Sequence, residues 1–233
     1  GFSMALRCDD PGISSVLKKT KWLRKWHREP EFMDTIENEV SKGMVALDLG
    51  ANIGYVTLFL AKILKNNGTI YAVEPDINNF NVLKENIENN SIDGTVYPYY
   101  GAISNKTGHT TLYKSEHSNM HSIIEESGAF DTETVPCFTI DDFIKDKVPP
   151  DFIKMDIEGA EVDVISGMKK YLSVKKPIKI LMELHPDKYS GDRFIEQVKR
   201  LYENDFYPKI VISATTSKPK QFLDMGYHPV REY

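Results

Sequence analysis

Apolar residues along this chain alternate between short unbroken runs and stripes at helical spacing. The runs Met44–Leu49, Thr69–Val73, Thr95–Tyr100, Phe152–Ile157 and Ile178–Leu184 predict buried strands. The stripes between them predict helices. Phe32, Ile36 and Val40 place one ahead of the first strand, and another follows over Tyr55–Lys65. Phe80, Leu83 and Ile87 mark a helix near Asn78–Asn89. Val164, Ile165, Met168 and Leu172 share a face of a fourth, and Phe194, Val198 and Leu201 a face of a fifth. A repeated strand–helix order implies an α/β fold: a mostly parallel sheet with helices on both faces and right-handed crossovers.

Two stretches depart from this rhythm. Residues 104–138 form a polar insert whose ends, Thr110–Tyr113 and Thr134–Phe138, read as a β-pair. Its middle, His117–Ser122, has little periodicity, and long inserts of this kind often wall a substrate site. In the tail, Tyr207–Ser213 and Phe222–Tyr233 read as two short strands with no helix between them, a hairpin finish that would add an antiparallel strand. Residues 1–30 are expected to form an N-terminal helical appendage, and 31–233 the main domain with its insert. Gly1-Phe2-Ser3, ahead of Met4, reads as an expression remnant and is set aside.

The turns carry the candidate chemistry. Strand Val45–Leu49 holds Asp48 and runs into Gly50-Ala51-Asn52-Ile53-Gly54, a tight turn that opens a helix. Such a turn brings backbone close to a ligand. A dinucleotide fingerprint needs G-x-G-x-x-G, with a helix N-terminus aimed at a pyrophosphate. Here Asn52 replaces the middle glycine, and Asp48 would repel a phosphate. S-adenosylmethionine, cationic and without phosphate, fits this turn better than NAD. The next strand ends in Glu74, at the distance expected for a carboxylate that accepts both ribose hydroxyls. Asp48 and Glu74 also fit an ordinary role as strand-end turn residues, but their joint spacing around a glycine turn favours the nucleoside site.

A second constellation, Asp151-Phe-Ile-Lys-Met-Asp-Ile-Glu-Gly-Ala-Glu161, places Lys154 and Asp156 on one strand face, with Glu158 and Glu161 at the following turn. A buried ion pair plus helix N-terminal acids accounts for the same residues structurally. The next strand ends in Glu183 and His185. His185 is a candidate general base near neutral pH, and Asp156, Glu183 and His185 offer donors that suit a metal, although no metal is expected.

These residues together carry a resemblance. Asp48-Leu-Gly-Ala-Asn-Ile-Gly54, Val73-Glu-Pro75, Gly101-Ala-Ile-Ser104, Thr139-Ile-Asp-Asp142 and, most specifically, Lys154-Met-Asp-Ile-Glu-Gly-Ala-Glu161 resemble the FkbM family of S-adenosylmethionine-dependent methyltransferases, over about residues 31–185. The resemblance implies a class I methyltransferase (Rossmann-like) fold of seven strands with an antiparallel last strand. It implies O-methylation of a hydroxyl on a sugar, polyketide or other small metabolite. It also implies a cofactor site of Asp48, Gly50, Ala51, Asn52, Gly54, Glu74, Asp156 and Ala102, the last near adenine. Asp156 and Glu158 would border the reacting centre, with His185 as the alternative base. The other readings are methylation of an RNA or protein substrate on the same fold, or a catalytically silent cofactor-binding module.

Charge and composition narrow the partners. The net charge is −5, yet residues 15–28 hold Lys18, Lys19, Lys21, Arg24, Lys25 and Arg28 with no acid. A chain so acidic elsewhere is a poor general nucleic-acid binder. The basic segment, with Trp22 and Trp26 one turn apart, reads as a helix that packs its tryptophans on the core. The alternative is an amphipathic helix that meets a membrane, a partner or an anionic substrate. No apolar run reaches membrane-spanning length and no secretory pattern opens the chain. Cys8 and Cys137 have neither disulfide-scaffold nor metal-ligand spacing. The expectation is a cytoplasmic protein with a small-molecule acceptor.

Overall fold

A computed structural model describes residues 2–19, 29–65, 67–125, 129–174, 176–211 and 220–221. In chain order the elements are α1 (Ile13–Lys19), α2 (Pro30–Glu39), β1 (Val45–Leu49), α3 (Tyr55–Leu64), β2 (Thr69–Glu74), α4 (Ile77–Asn89), β3 (Val96–Tyr100) and β4 (Ala102–Ile103). Then follow β5 (Gly108–Lys114), β6 (Asp131–Phe138), α5 (Ile140–Phe143), β7 (Phe152–Met155), α6 (Glu161–Ser166), α7 (Lys169–Leu172), β8 (Lys179–Met182), a 3₁₀ turn (Pro186–Lys188), α8 (Gly191–Glu203), β9 (Ile210–Val211) and β10 (Lys220–Gln221).

Five strands form the central sheet in the order β3-β2-β1-β7-β8, and every pairing in it is parallel. Strand alternation divides the apolar residues between two cores. Ala46, Ile70, Ala72 and Phe152 face α2, α3 and α4 on one side. Leu47, Leu49, Val73, Ile153 and Met155 face α5, α6 and α7 on the other. Both cores are fully buried at their centres, as a sheet covered on two faces requires. The chain leaves β1 toward β2 and β3, then returns to the other side of β1 as β7. The order therefore reverses between β1 and β7, and the ligand crevice of an open α/β sheet lies at such a reversal.

The fold corrects three expectations. The central sheet has five described strands, not seven. The antiparallel pair β9–β10 is a two-stranded sheet of its own, not an extra strand of the main one; Phe222–Tyr233 lies outside the described residues. The helix drawn through Val164 and Leu172 is two helices, α6 and α7, separated at Gly167. A Cβ there would stand 2.3 Å from Ser104 O, so the backbones approach too closely for any larger residue. The insert does contain the expected pair: β5 and β6 run antiparallel, with Thr110 opposite Val135, and β4 adds to β6 in parallel.

The N-terminal segment packs on the main domain. Ser3 exchanges two backbone hydrogen bonds with the side chain of Asn90, and Ala5 does the same with Asn86. Ile13 joins the core against α2 and α3. Asp10 accepts from the backbone of Gly12 and Ser14 at the start of α1. Burial opposes its charge, but these bonds hold its pKa down to about 2. The α1 helix covers only the start of the predicted basic helix; residues 20–28, with both tryptophans, lie outside the described residues.

Candidate active site

The turn after β1 is built by close backbone approach. Gly50 has φ +72, and a Cβ on it would lie 2.1 Å from Asp156 O, so the turn demands glycine. The amides of Gly50 and Ala51 both donate to Val73 O. Asn52, also left-handed at φ 52, donates its amide to Glu74 Oε2 at 2.7 Å. The other Glu74 oxygen accepts from Asp76 N at 3.0 Å. Burial outweighs these two bonds and pushes Glu74 up to about 7. A carboxylate offers about four acceptor directions, so two remain.

Lys154 is the charged centre beneath this turn. It is 2% exposed and donates to the carbonyls of Leu49 and Gly50 at 3.1 and 2.9 Å. Its Nζ stands 3.2 Å from Asp48 Oδ1, which it holds by charge rather than by a hydrogen bond, and 3.9 Å from Asp156 Oδ2. The other Asp48 oxygen accepts from Thr57 Oγ1 at 2.6 Å. Burial works against the Lys154 charge, but Asp48 and then Asp156 outweigh it and raise its pKa.

Beyond β7 the chain turns through Glu158 (φ 53) and Gly159, with the Glu158 carbonyl held by Ser122 Oγ at 2.6 Å. His185, past the end of β8, reaches this turn. Its Nε2 lies 3.5 Å from Glu158 Oε2, and its Nδ1 lies 3.0 Å from Glu161 Oε1. Burial disfavours its charge, but the Glu161 hydrogen bond and the Glu158 carboxylate prevail and push His185 up to about 9. Burial pushes Glu158 up to about 7; His185 opposes this, while Asp156, Glu183 and Glu161 add to it. Glu183 is also pushed to about 7, by burial and then by Asp156.

A cleft enclosing about 550 Å³, open solvent included, lies at the carboxyl ends of β1, β2 and β7. Gly50, Glu74, Ala102, Asp156 and Glu158 line it, with Val73, Ile103, Leu112 and Ile157 as apolar wall. The insert closes one side through Ser118, Asn119 and His121. The amides of Asn52 and Asn79 both donate to Ser118 O, at 3.0 and 2.9 Å, and tie the insert to the glycine turn and to α4.

A family model described as the methyltransferase FkbM domain matches residues 48–208, more than half of the chain. The chain belongs to the FkbM methyltransferase family. A curated relative, the hexuronic acid methyltransferase AglP of Haloferax volcanii, is 27% identical over 154 residues. That match covers 64% of this chain and 60% of the relative, so the chain spans well under the relative's full length. Among solved structures, a methyltransferase FkbM from Methylobacillus flagellatus is 24% identical with a TM-score of 0.46, over 60% of this chain and 33% of that one. A candidate rRNA-methylase from Clostridium thermocellum is 13% identical with a TM-score of 0.53, over 84% and 94%, a likeness of fold alone.

Set against the residues expected of an FkbM methyltransferase, the geometry sorts them into two groups. Gly50, Glu74, Ala102, Asp156 and Glu158 share the cleft. Asp48, Ala51, Asn52, Gly54 and His185 are not part of its lining. Asp48 is fully buried and occupied by Thr57 and Lys154, so Lys154 serves Asp48 more closely than Asp156. Gly54 faces Leu83. The sequence offers Asp156, Glu183 and His185 as donors that suit a metal, whereas the donors that converge among the described residues belong to Asp156, Glu158 and His185. His185 as a neutral base at pH 7 does not fit a pKa near 9. The role of Glu161 as the partner of His185 was not foreseen; its signal was an acid at the first position of a helix opposite a strand-end histidine. No helix among the described residues is long and apolar enough to cross a membrane.

Proposed function

We propose that this chain transfers a methyl group from S-adenosylmethionine to a hydroxyl of a sugar or similar small metabolite. The observation that carries the reading is one cleft with Glu74 on one side and Asp156 and Glu158 on the other, inside an FkbM domain. The residues present suit the cofactor. Glu74 keeps two acceptor directions for ribose hydroxyls, and Val73, Ala102, Ile103 and Leu112 offer an apolar wall for a flat base. When bound, the cofactor supplies an electrophilic methyl: an oxygen–carbon bond forms while the carbon–sulfur bond breaks, and the electron pair stays on sulfur.

The protein then has three tasks. It orients two substrates, excludes water between them and takes the hydroxyl proton. Asp156, at the cleft wall with 31% of its side chain exposed, is placed to orient the hydroxyl or accept its proton. His185, pushed up to about 9, is protonated near neutral pH, which counts against it as the alternative base and makes it a counter-charge for Glu158 and Glu161. The AglP relative supports an acceptor of the sugar class.

Calorimetry with S-adenosylmethionine and NAD tests the cofactor; binding of NAD alone would sink the reading. Formation of S-adenosylhomocysteine with uronic acids and neutral sugars as acceptors tests the reaction, with RNA and protein acceptors beside them. Cofactor binding with no turnover on any acceptor would point to a silent binding module. Asp156→Asn keeps the shape and should lower kcat by roughly 10²–10⁴ while a thermal melt stays near that of the parent. Unchanged turnover would remove Asp156 from the chemistry.

A further inference from the structure

We propose that Asp156, Glu158 and His185 form a divalent-cation site on the acceptor side of the cleft. The inference rests on the methyltransferase reading and adds to it how the acceptor is held. One donor atom from each of the three residues lies within 4.8 Å of the others. They come from two chain segments, the turn after β7 and the end of β8, which only the parallel pairing of those strands brings together. Two carboxylate oxygens and one imidazole nitrogen suit a first-row divalent ion such as Mn²⁺.

Glu161 is the second observation. Its side chain has no exposure, and Oε1 lies against His185 Nδ1 and accepts from Gly159 N. Its other oxygen, Oε2, has no hydrogen-bond partner among the described residues. A buried carboxylate with an unpartnered oxygen is costly unless positive charge stands close by. Without an ion the His185 imidazolium supplies that charge; a cation bound at its Nε2 supplies it in the proton's place. Glu161 then acts as the outer carboxylate of a carboxylate–histidine–metal arrangement: it keeps the proton on Nδ1 and turns Nε2 toward the ion. The ion takes the place of the Nε2 proton.

Three protein donors leave the rest of the coordination shell open. Asp156 and Glu158 line the cleft, so an ion that they hold would border it. An acceptor with two adjacent oxygens, a vicinal diol or a hydroxy acid, would chelate there. A coordinated hydroxyl loses its proton more readily. This also explains how a uronic acid would enter a site rich in carboxylates: the ion screens its charge.

The test titrates Mn²⁺ alone into the metal-stripped full chain, read by electron paramagnetic resonance. One Mn²⁺ per chain should bind, and the imidazole proton signals of His185 should broaden. Glu158→Gln and His185→Gln should weaken binding at least tenfold, and Glu161→Gln by 10–100-fold. No Mn²⁺ binding, or broadening confined to other histidines, overturns the proposal even if the variants fail to fold. Full turnover in chelator overturns it too, and would favour an acceptor whose own cationic group meets the carboxylates. Binding of S-adenosylmethionine in chelator is expected to persist, so failure of the metal site and failure of the methyltransferase reading give different results.

Discussion

Glu74 shows how much one buried carboxyl can report. Its pKa stands near 7 in the fold against 4.5 as the ordinary value. The folded state therefore binds its proton more tightly than the unfolded chain does. The stability this provides is complete below about pH 4.5 and is lost as pH rises through about 7. Melts of the ligand-free protein between pH 4 and 8, compared with Glu74→Gln, should show that downward slope flattened in the variant. Ribose hydroxyls need the ionised form as acceptor, so cofactor affinity should fall below about pH 7, by at most about tenfold per pH unit. Glu74→Ala should cost cofactor binding about 1.5–3 kcal/mol. Affinity unchanged by pH or by the variant would take Glu74 out of the ribose site.

At the scale of elements, the loop that walls the cleft is tied by hydrogen bonds to the turns around it. Ser118 O receives both Asn52 and Asn79, and Ser122 Oγ holds the Glu158 carbonyl. Asn79 is fully buried and its Oδ1 also accepts from Arg7 Nη1, so Asn79→Ala should lower stability by about 1–3 kcal/mol. It should also weaken cofactor binding, because the insert walls the cleft. Cofactor affinity equal to the parent's would make that wall irrelevant to the ligand. The β–α rhythm was legible because each element buries its own stripe: Val45–Leu49 reads as a strand from composition alone, and Phe80, Leu83 and Ile87 as a helix face. The break between α6 and α7 was not legible. It depends on Ser104, 63 residues earlier, passing within touching distance of Gly167. The same holds for Lys154, whose closest acid is Asp48 on the neighbouring strand; alternation within one strand could point only to Asp156.

For the whole molecule, the least legible feature was the path of residues 2–19. Backbone atoms of Ser3 and Ala5 meet the amides of Asn90 and Asn86, pairs more than 80 residues apart with no pattern in common. Asn86 also donates to Ile53 O, and so ties the N-terminal segment to the turn after β1. Removal of residues 1–12 should therefore lower the melting temperature, and by more than the two exposed bonds of Ser3 alone would suggest. A melt equal to that of the full chain would show the segment to be dispensable. Gly12 extends the link: a Cβ on it would stand 2.9 Å from Asp10 Oδ1 and 3.1 Å from Ser118 N, in the wall of the cleft.

That link has a practical use. Of the two thiols, Cys137 is buried in the insert and Cys8 is exposed, two residues from Asp10. A maleimide dye should thus attach at a single place without mutagenesis. Because the labelled segment leans on the loop that walls the cleft, its fluorescence would register a small molecule entering that cleft, and the protein would serve as its own sensor in a search for the acceptor.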